Sequence, residues 1–237
     1  SAGSPKNVIL VGKGSEASIE RSEVAIAAES AAETSIYGID TPLGVAAISG
    51  EIIYQAPIRT ESGKVEPSLL RGVLEKALLV HTTVRLLEGT FPGPGEVMVG
   101  HLAHRKLGVG VRELAIGRTL YFGDSPVTIS GRFAAPGTVL ESEIWFDRND
   151  LASLTQRDSL SAIVVRMEEA DVEEAELFAF QRNDLELAAI REDEYYEKLS
   201  IFYQPIQIMT WVTAALVGAG AIFGGLNTLY AAFAARI

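Results

Sequence analysis

Cysteine is absent from all 237 residues, which removes disulfide bridges and thiolate chemistry from consideration but leaves the compartment open. Histidine is scarce: there are three, His81, His101 and His104. The last two lie three apart on a short helical turn and could share a face, as metal ligands do. With no cysteine to complete a set and no HExxH pattern, they read as surface histidines beside Arg105 and Lys106. Gly12-Lys13-Gly14-Ser15 lacks the glycine spacing of a phosphate-binding loop and reads as a turn. No Gly-x-Ser-x-Gly elbow is present. The acidic cluster Glu168, Glu169, Asp171, Glu173, Glu174 and Glu176 crowds the start of a helix, where the backbone dipole favours negative charge. No catalytic constellation, cofactor site or metal site is expected. Positive charge is also short, with 20 Lys and Arg against 31 Asp and Glu and a net charge of −11. That balance argues against nucleic acid as a partner and against an anionic lipid surface, since either needs a basic face.

What the chain does have is an apolar end. From Leu199 to Ala235 there is no Asp, Glu, Lys, Arg or His, and Ile208 to Ala235 is almost wholly apolar or small. A bilayer core needs about 20 such residues as a helix. A basic residue returns at Arg236, whereas Glu192, Asp193, Glu194, Glu197 and Lys198 flank the other side. The positive-inside rule then places the C-terminus in the cytoplasm and the acidic bulk outside. Gly218, Gly220, Gly224 and Gly225 would each cost about 1 kcal/mol against alanine in a water-exposed helix. In lipid, small residues let helices approach closely. Gly220 and Gly224 form a GxxxG pair and Ala214 and Gly218 a second small pair, so a helix-packing face is expected at Ala214, Gly218, Gly220, Gly224 and Gly225. The start SAGSPKNVILV has no signal peptide, and the chain stops just past Arg236. Both ends are expected to be cuts within a longer protein.

Taken in order, Asn7 to Val11 reads as a strand and Ser18 as the cap of a helix through Ile19, Val24, Ile26 and Ala27. Strands are expected at Thr34 to Ile39, Gly44 to Ser49 and Glu51 to Pro57, and a boundary at Thr60 to Pro67. Ser68 to Val80 has helical spacing, and Val80 to Leu87 alternates as a strand does. A strand at Glu96 to Val99 follows, then helical turns from His101 to Gly108. Next come a hairpin of Thr119 to Phe122 with Val127 to Phe133, a strand at Glu143 to Phe146 and a helix capped by Asn149. Ser161 to Arg166 is a buried strand, Asp171 caps a helix to about Gln181, and Leu185 to Ile190 is a further strand. From Asp193 a helical pattern carrying Tyr195, Tyr196, Leu199, Phe202 and Pro205 feeds into the apolar run as a stalk, with Pro205 a kink site.

Several stretches resemble the permease subunit of the MacB/FtsX-type ABC transporters. They are the opening Asn7 to Val24, the run from Arg85 to Pro92 (RLLEGTFP), Glu96 to Gly100 (EVMVG), Leu102 to Gly108 (LAHRKLG), Val127 to Gly131 (VTISG), and Gly224 to Thr228 before Arg236. The resemblance implies an α+β fold: a porter-like βαβ subdomain in two parts, 1–66 and 156–192, with an inserted β-rich subdomain at 67–155. A stalk at 193–207 and a transmembrane helix at 208–235 follow. It implies no cofactor in this part of the chain. Its partners would be an ABC ATPase subunit, separate or fused, a second permease copy in a homo- or heterodimer, membrane lipid and a periplasmic adaptor. The location implied is the bacterial inner (cytoplasmic) membrane, with most of the chain extracytoplasmic. The role implied is to couple cytoplasmic ATP hydrolysis to export, lipoprotein extraction or envelope signalling by mechanotransmission. The alternative is an extracytoplasmic binding or sensor domain held by a single C-terminal anchor, and a third reading is a membrane-tethered hydrolase.

Overall fold

Strand pairing in the computed structural model, which describes residues 3–170 and 172–234 and only the backbone course of 200–208 and 227–234, is organised by one long strand, β3. The chain divides into two compact units, Ser1–Tyr195 and Tyr196–Ile237. In the first, β1 (Asn7–Gly12), β2 (Val24–Ala25), α1 (Ala27–Ser35) and β3 (Ile48–Thr60) lead into β4 (Val65–Val73) and α2 (Ala77–Val80). Then come β5 (Arg85–Gly89), β6 (Glu96–Gly100), α3 (Ala103–Leu107), β7 (Thr119–Phe122), β8 (Ser125–Ala134), β9 (Ile144–Asp147) and α4 (Arg148–Thr155). The chain closes with β10 (Ser159–Leu160), β11 (Ala162–Arg166), α5 (Glu173–Gln181), β12 (Leu187–Arg191) and α6 (Glu192–Ala234).

The first four residues of β3, Ile48 to Glu51, pair with β11, which pairs with β1, which pairs with β12. From Ile52 onward β3 leaves β11 and pairs with β4 instead. From there the pairings β3–β4–β9–β6–β8–β7–β3 return to their starting strand, so six strands close a ring. The expected α+β fold with a β-rich insertion is present. Its insertion is a small barrel that shares β3 with the rest of the sheet.

Period-2 side-chain alternation explains why these runs form this barrel. In β6, Val97 and Val99 join one core while Met98 points into a second, and in β9 Ile144 and Phe146 face the first and Trp145 the second. Strands buried on both faces read as continuous apolar runs. The second core, with Val73, Ala77, Val84, Phe133, Ala135 and Leu140, is where α2 packs.

Several local expectations need correction. Ser68 to Val80 is not a helix: its first half is β4, and only Ala77–Val80 is helical. Burial of both faces from Leu70 to Val73 blurs the period of two, and eight residue pairs with β3 outweigh the helical spacing. Ser18 caps no α-helix and makes no side-chain cap bond to the short 3-10 turn Ile19–Arg21. The helix lies later, at Ala27–Ser35, where alanine propensity and the buried i,i+4 pair Ala28 and Ala32 decide it, so Thr34 to Ile39 is not a strand. Gly44 to Ser49 is strand only from Ile48, and Val80 to Leu87 only from Arg85. Asp147, not Asn149, caps α4, its carboxylate accepting from the Asn149 and Asp150 amides. Within the stretch Thr60 to Pro67, residues 61–64 form the turn of the β3–β4 hairpin. The expected cap Asp171 lies outside the described residues.

In the second unit, α6 continues as helix through Pro205 to Ala234. Met209–Leu226 is long and apolar enough to cross a membrane. Met209, Trp211, Val212, Leu216, Val217, Ile222, Phe223 and Leu226 are all exposed, Trp211 by 78%. Leaving eight such side chains in water forgoes on the order of 10 kcal/mol. That is comparable with the whole stability of a domain, so this helix needs lipid or another apolar surface around it.

Candidate functional site

Where β3 changes partner, from β11 to β4, the interior is charged rather than apolar. Glu51 of β3 is the last residue paired with β11, and its carboxylate is fully buried. Beside it on β4 is Arg71, whose Nη1 donates to Glu51 Oε2 at 2.5 Å. The same guanidinium grips Glu143, just before β9, with two bonds, Nε to Oε2 at 2.7 Å and Nη2 to Oε1 at 2.8 Å. Such a fork is the strongest geometry an arginine and a carboxylate can form. Trp145 of β9 completes Glu143 by donating from Nε1 to Oε2 at 3.0 Å.

His81 follows directly on α2, and its Nε2 lies 2.7 Å from Glu51 Oε1. Its Nδ1 faces Glu192 Oε1 at 3.9 Å, and its ring meets Trp145 edge-on at 5.8 Å. Glu192 is the first residue of α6. Its other oxygen accepts from Asn7 Nδ2 of β1 and from the Ser4 amide, both at 2.9 Å. Asn7 Nδ2 also donates to the Val80 carbonyl at 3.3 Å. One buried cluster therefore collects β1, β3, β4, the end of α2, β9, the segment before β1 and the root of α6.

The electrostatics close on the same residues. Burial alone would raise the Glu51 pKa, but the charges of His81 and Arg71 and their hydrogen bonds outweigh it and hold the carboxyl down at about 2. For His81, burial disfavours the imidazolium, and the Glu51 charge and hydrogen bond, helped by Glu192, overcome this and raise the pKa above 6.5. With His81 protonated, the cluster sets the carboxyl groups of Glu51, Glu143 and Glu192 against two cations, Arg71 and His81. Taking an ion pair out of water costs several kcal/mol per ion, and only good geometry with all partners present repays it. Such a cluster specifies position more than it adds stability.

Sequence reasoning passed over this cluster, treating His81 as the odd histidine out. Its members are scattered from Asn7 to Glu192, so no spacing motif joins them. The available signal was a lone charge inside an apolar strand run: Glu51 before Ile52-Ile53, Arg71 between Leu70 and Gly72-Val73, Glu143 before Ile144-Trp145-Phe146. His101 and His104 lie together instead on the surface, with rings 6.3 Å apart and His104 Nδ1 bonded to the His101 carbonyl. Among the described residues no group of three metal-ligating side chains forms. Of the expected stalk residues, Tyr195 is buried, Tyr196 and Leu199 are half-buried, and the side chains of Phe202 and Pro205 lie outside those described. Gly218, Gly220, Gly224 and Gly225 have open space where a Cβ would sit, and Ala214 is exposed. At about 100° per residue, Ala214, Gly218 and Gly225 share one flank of α6 and Gly220 and Gly224 another.

The chain thus combines an α+β domain that has a closed barrel insertion with a helix that carries a candidate membrane span. Residues 2–177 match the family profile of the MacB-like periplasmic core domain, and the chain belongs to that family, the periplasmic domain of ABC transporter permeases. The fold is similar to the periplasmic region of MacB from Actinobacillus actinomycetemcomitans. That likeness has a TM-score of 0.59 and 12% identity and covers 82% of this chain and 92% of that one. It is also similar to the extracellular domain of the noncanonic ABC-type transporter YknZ from Gram-positive bacteria. There the TM-score is 0.58 and the identity 15%, over 78% of this chain and 99% of that one. A comparison with curated proteins finds no match. The family is a transporter domain and not a catalytic one.

Proposed function

We propose that this domain receives motion from the membrane part of an ABC permease and passes it to the outer face of the cytoplasmic membrane. ATP hydrolysis by an ABC ATPase, fused or separate, would displace α6 along or about its axis. The outer domain would respond by changing shape, driving export, lipoprotein extraction or signalling to envelope enzymes. The observation that carries this reading is the capture of Glu192, the first residue of α6, by the buried charge cluster. A helix whose root is bonded into the sheet cannot move without moving the sheet. The continuity of α6 from Glu192 to Ala234, through the candidate span, supports the same path.

The small residues Ala214, Gly218, Gly220, Gly224 and Gly225 then serve as packing faces for other membrane helices, including those of a second permease copy. Tyr195, Tyr196, Leu199, Phe202 and Pro205 form the stalk between sheet and span. A periplasmic adaptor on the outer domain completes this set of partners. Family membership favours this reading over a sensor on a single anchor.

The test is a flexible Gly/Ser linker inserted after Lys198 in the full-length transporter. Transport should be lost while ATP hydrolysis persists. Normal transport across the linker would sink the reading.

A further inference from the structure

His81 stands between two carboxylates that belong to different elements. One, Glu51, is fixed in β3, while the other, Glu192, begins α6. The two contacts are unequal, at 2.7 Å to Glu51 and 3.9 Å to Glu192. The histidine itself is pinned to the sheet side: its amide donates to the Ala77 carbonyl, its carbonyl accepts from Val84, and its ring lies against Trp145. We propose that His81 is a proton-operated latch: charged, it holds the root of α6 in the cluster, and neutral, it releases Glu192.

The reason is the charge count at the site. In direct contact with His81 are Glu51 from β3 and Glu192 from α6, and bonded to these or to Arg71 in turn are Arg71 from β4, Glu143 beside β9 and the neutral amide of Asn7 from β1. With His81 charged, three carboxylates meet two cations. Once it is neutral, three carboxylates share Arg71, whose fork already engages Glu143 and whose Nη1 reaches Glu51. Glu192 is then held by the neutral donors of Asn7 and Ser4. It is also the carboxylate nearest solvent, its side chain 7% exposed against 0% for Glu51 and Glu143. Among buried like charges, the one with a route to water leaves first, because staying costs it the most relative to leaving.

This deepens the coupling role proposed above, and its use in transport rests on that reading, whereas its existence does not. This chain has no cysteine, so once any cysteine elsewhere in the full-length permease is replaced by serine, engineered thiols are the only labelling sites. Thr83→Cys and Glu194→Cys, both at exposed positions, carry nitroxides on the α2 side and on α6. Their distance is measured by pulsed electron resonance in the full-length permease in lipid nanodiscs. A Trp211→Phe background, which leaves Trp145 as the one tryptophan of this chain, reports the charge of the neighbouring His81 by emission.

At about pH 6, below the ordinary histidine pKa of about 6.5, the wild-type latch should give a narrow distance distribution. His81→Gln should give a displaced and broadened one at that pH, and wild type should move toward it as pH rises to about 9.5. Glu192→Gln keeps the acceptor but not the charge. It should abolish the pH response of the distance while Trp145 emission still titrates, which covers the case of a His81 variant that fails to fold. A wild-type distance constant across the range, or a Glu192→Gln protein that retains the full response, overturns the latch. A switching distance together with normal transport across the Lys198 linker would keep the latch and remove its role in coupling. A constant distance with linker-sensitive transport would remove the latch alone.

Discussion

Arg71 matters more to the buried cluster than either carboxylate it touches, because it is the one permanent cation there. Its guanidinium neutralises Glu51 and Glu143 at once, and both are fully buried. Removing Glu143 leaves Arg71 with Glu51, but removing Arg71 leaves Glu51, Glu143 and Glu192 with a single histidine. Arg71→Met keeps the aliphatic volume and deletes the charge, and it should cost about 3–5 kcal/mol, the usual penalty for orphaning a buried ion. A urea unfolding curve on the full chain in detergent checks this, and a loss below about 1 kcal/mol would mean that water already reaches the site. The replacement of Arg71, Glu51 and Glu143 together by apolar residues should recover part of the loss, since buried pairs specify geometry more than they stabilise.

At the scale of single elements, β5 shows why a glycine stands in the Glu-Gly of the RLLEGTFP run. The pairing of β5 with β8 slips between Leu86 and Glu88, and Gly89 lies at a φ of 79° directly over Ser130. A Cβ there would run into the Ser130 carbonyl. Gly89→Ala therefore combines backbone strain with a clash against main chain and should destabilise by about 2 kcal/mol or more. Thermal unfolding of the variant reads this directly. Elements with such local punctuation were legible in the sequence. Gly108, left-handed at a φ of 60°, ends α3 where expected, and the Gly123 turn joins β7 to β8. The runs of β6, β9 and β11 were legible from apolar content alone. What was not legible depended on distant pairing: β4 looked helical until β3 is laid beside it, and the barrel closes through β3–β7, strands about 60 residues apart. The charge cluster failed for the same reason, its members meeting only after six elements and the segment before β1 have packed.

For the whole molecule, the two shifted groups of the cluster set opposite pH limits on stability. Glu51 has a folded pKa of about 2, below its ordinary 4.5, so its contribution is complete above pH 4.5 and is lost as pH falls toward 2. His81 has a folded pKa above its ordinary 6.5, so its contribution is complete below 6.5 and is lost as rising pH passes through the folded value. The cluster is thus strongest between pH 4.5 and 6.5. The unfolding midpoint of wild type minus that of His81→Gln should be largest in that window and shrink on the alkaline side. A difference that grows with pH above 6.5 would contradict the assigned charge of His81.

The bond from the Ser4 amide to Glu192 has a consequence for how such a permease can change over time. It brings the strand that enters the outer domain and the helix that leaves it to within one hydrogen bond of each other. A domain whose entry and exit meet is a closed excursion of the chain, and insertions at such places are widely tolerated. The domain can lengthen a loop, lose a hairpin or be exchanged for that of a relative without altering the distance between its two ends. Change inside the domain is thereby separated from the geometry of its two ends.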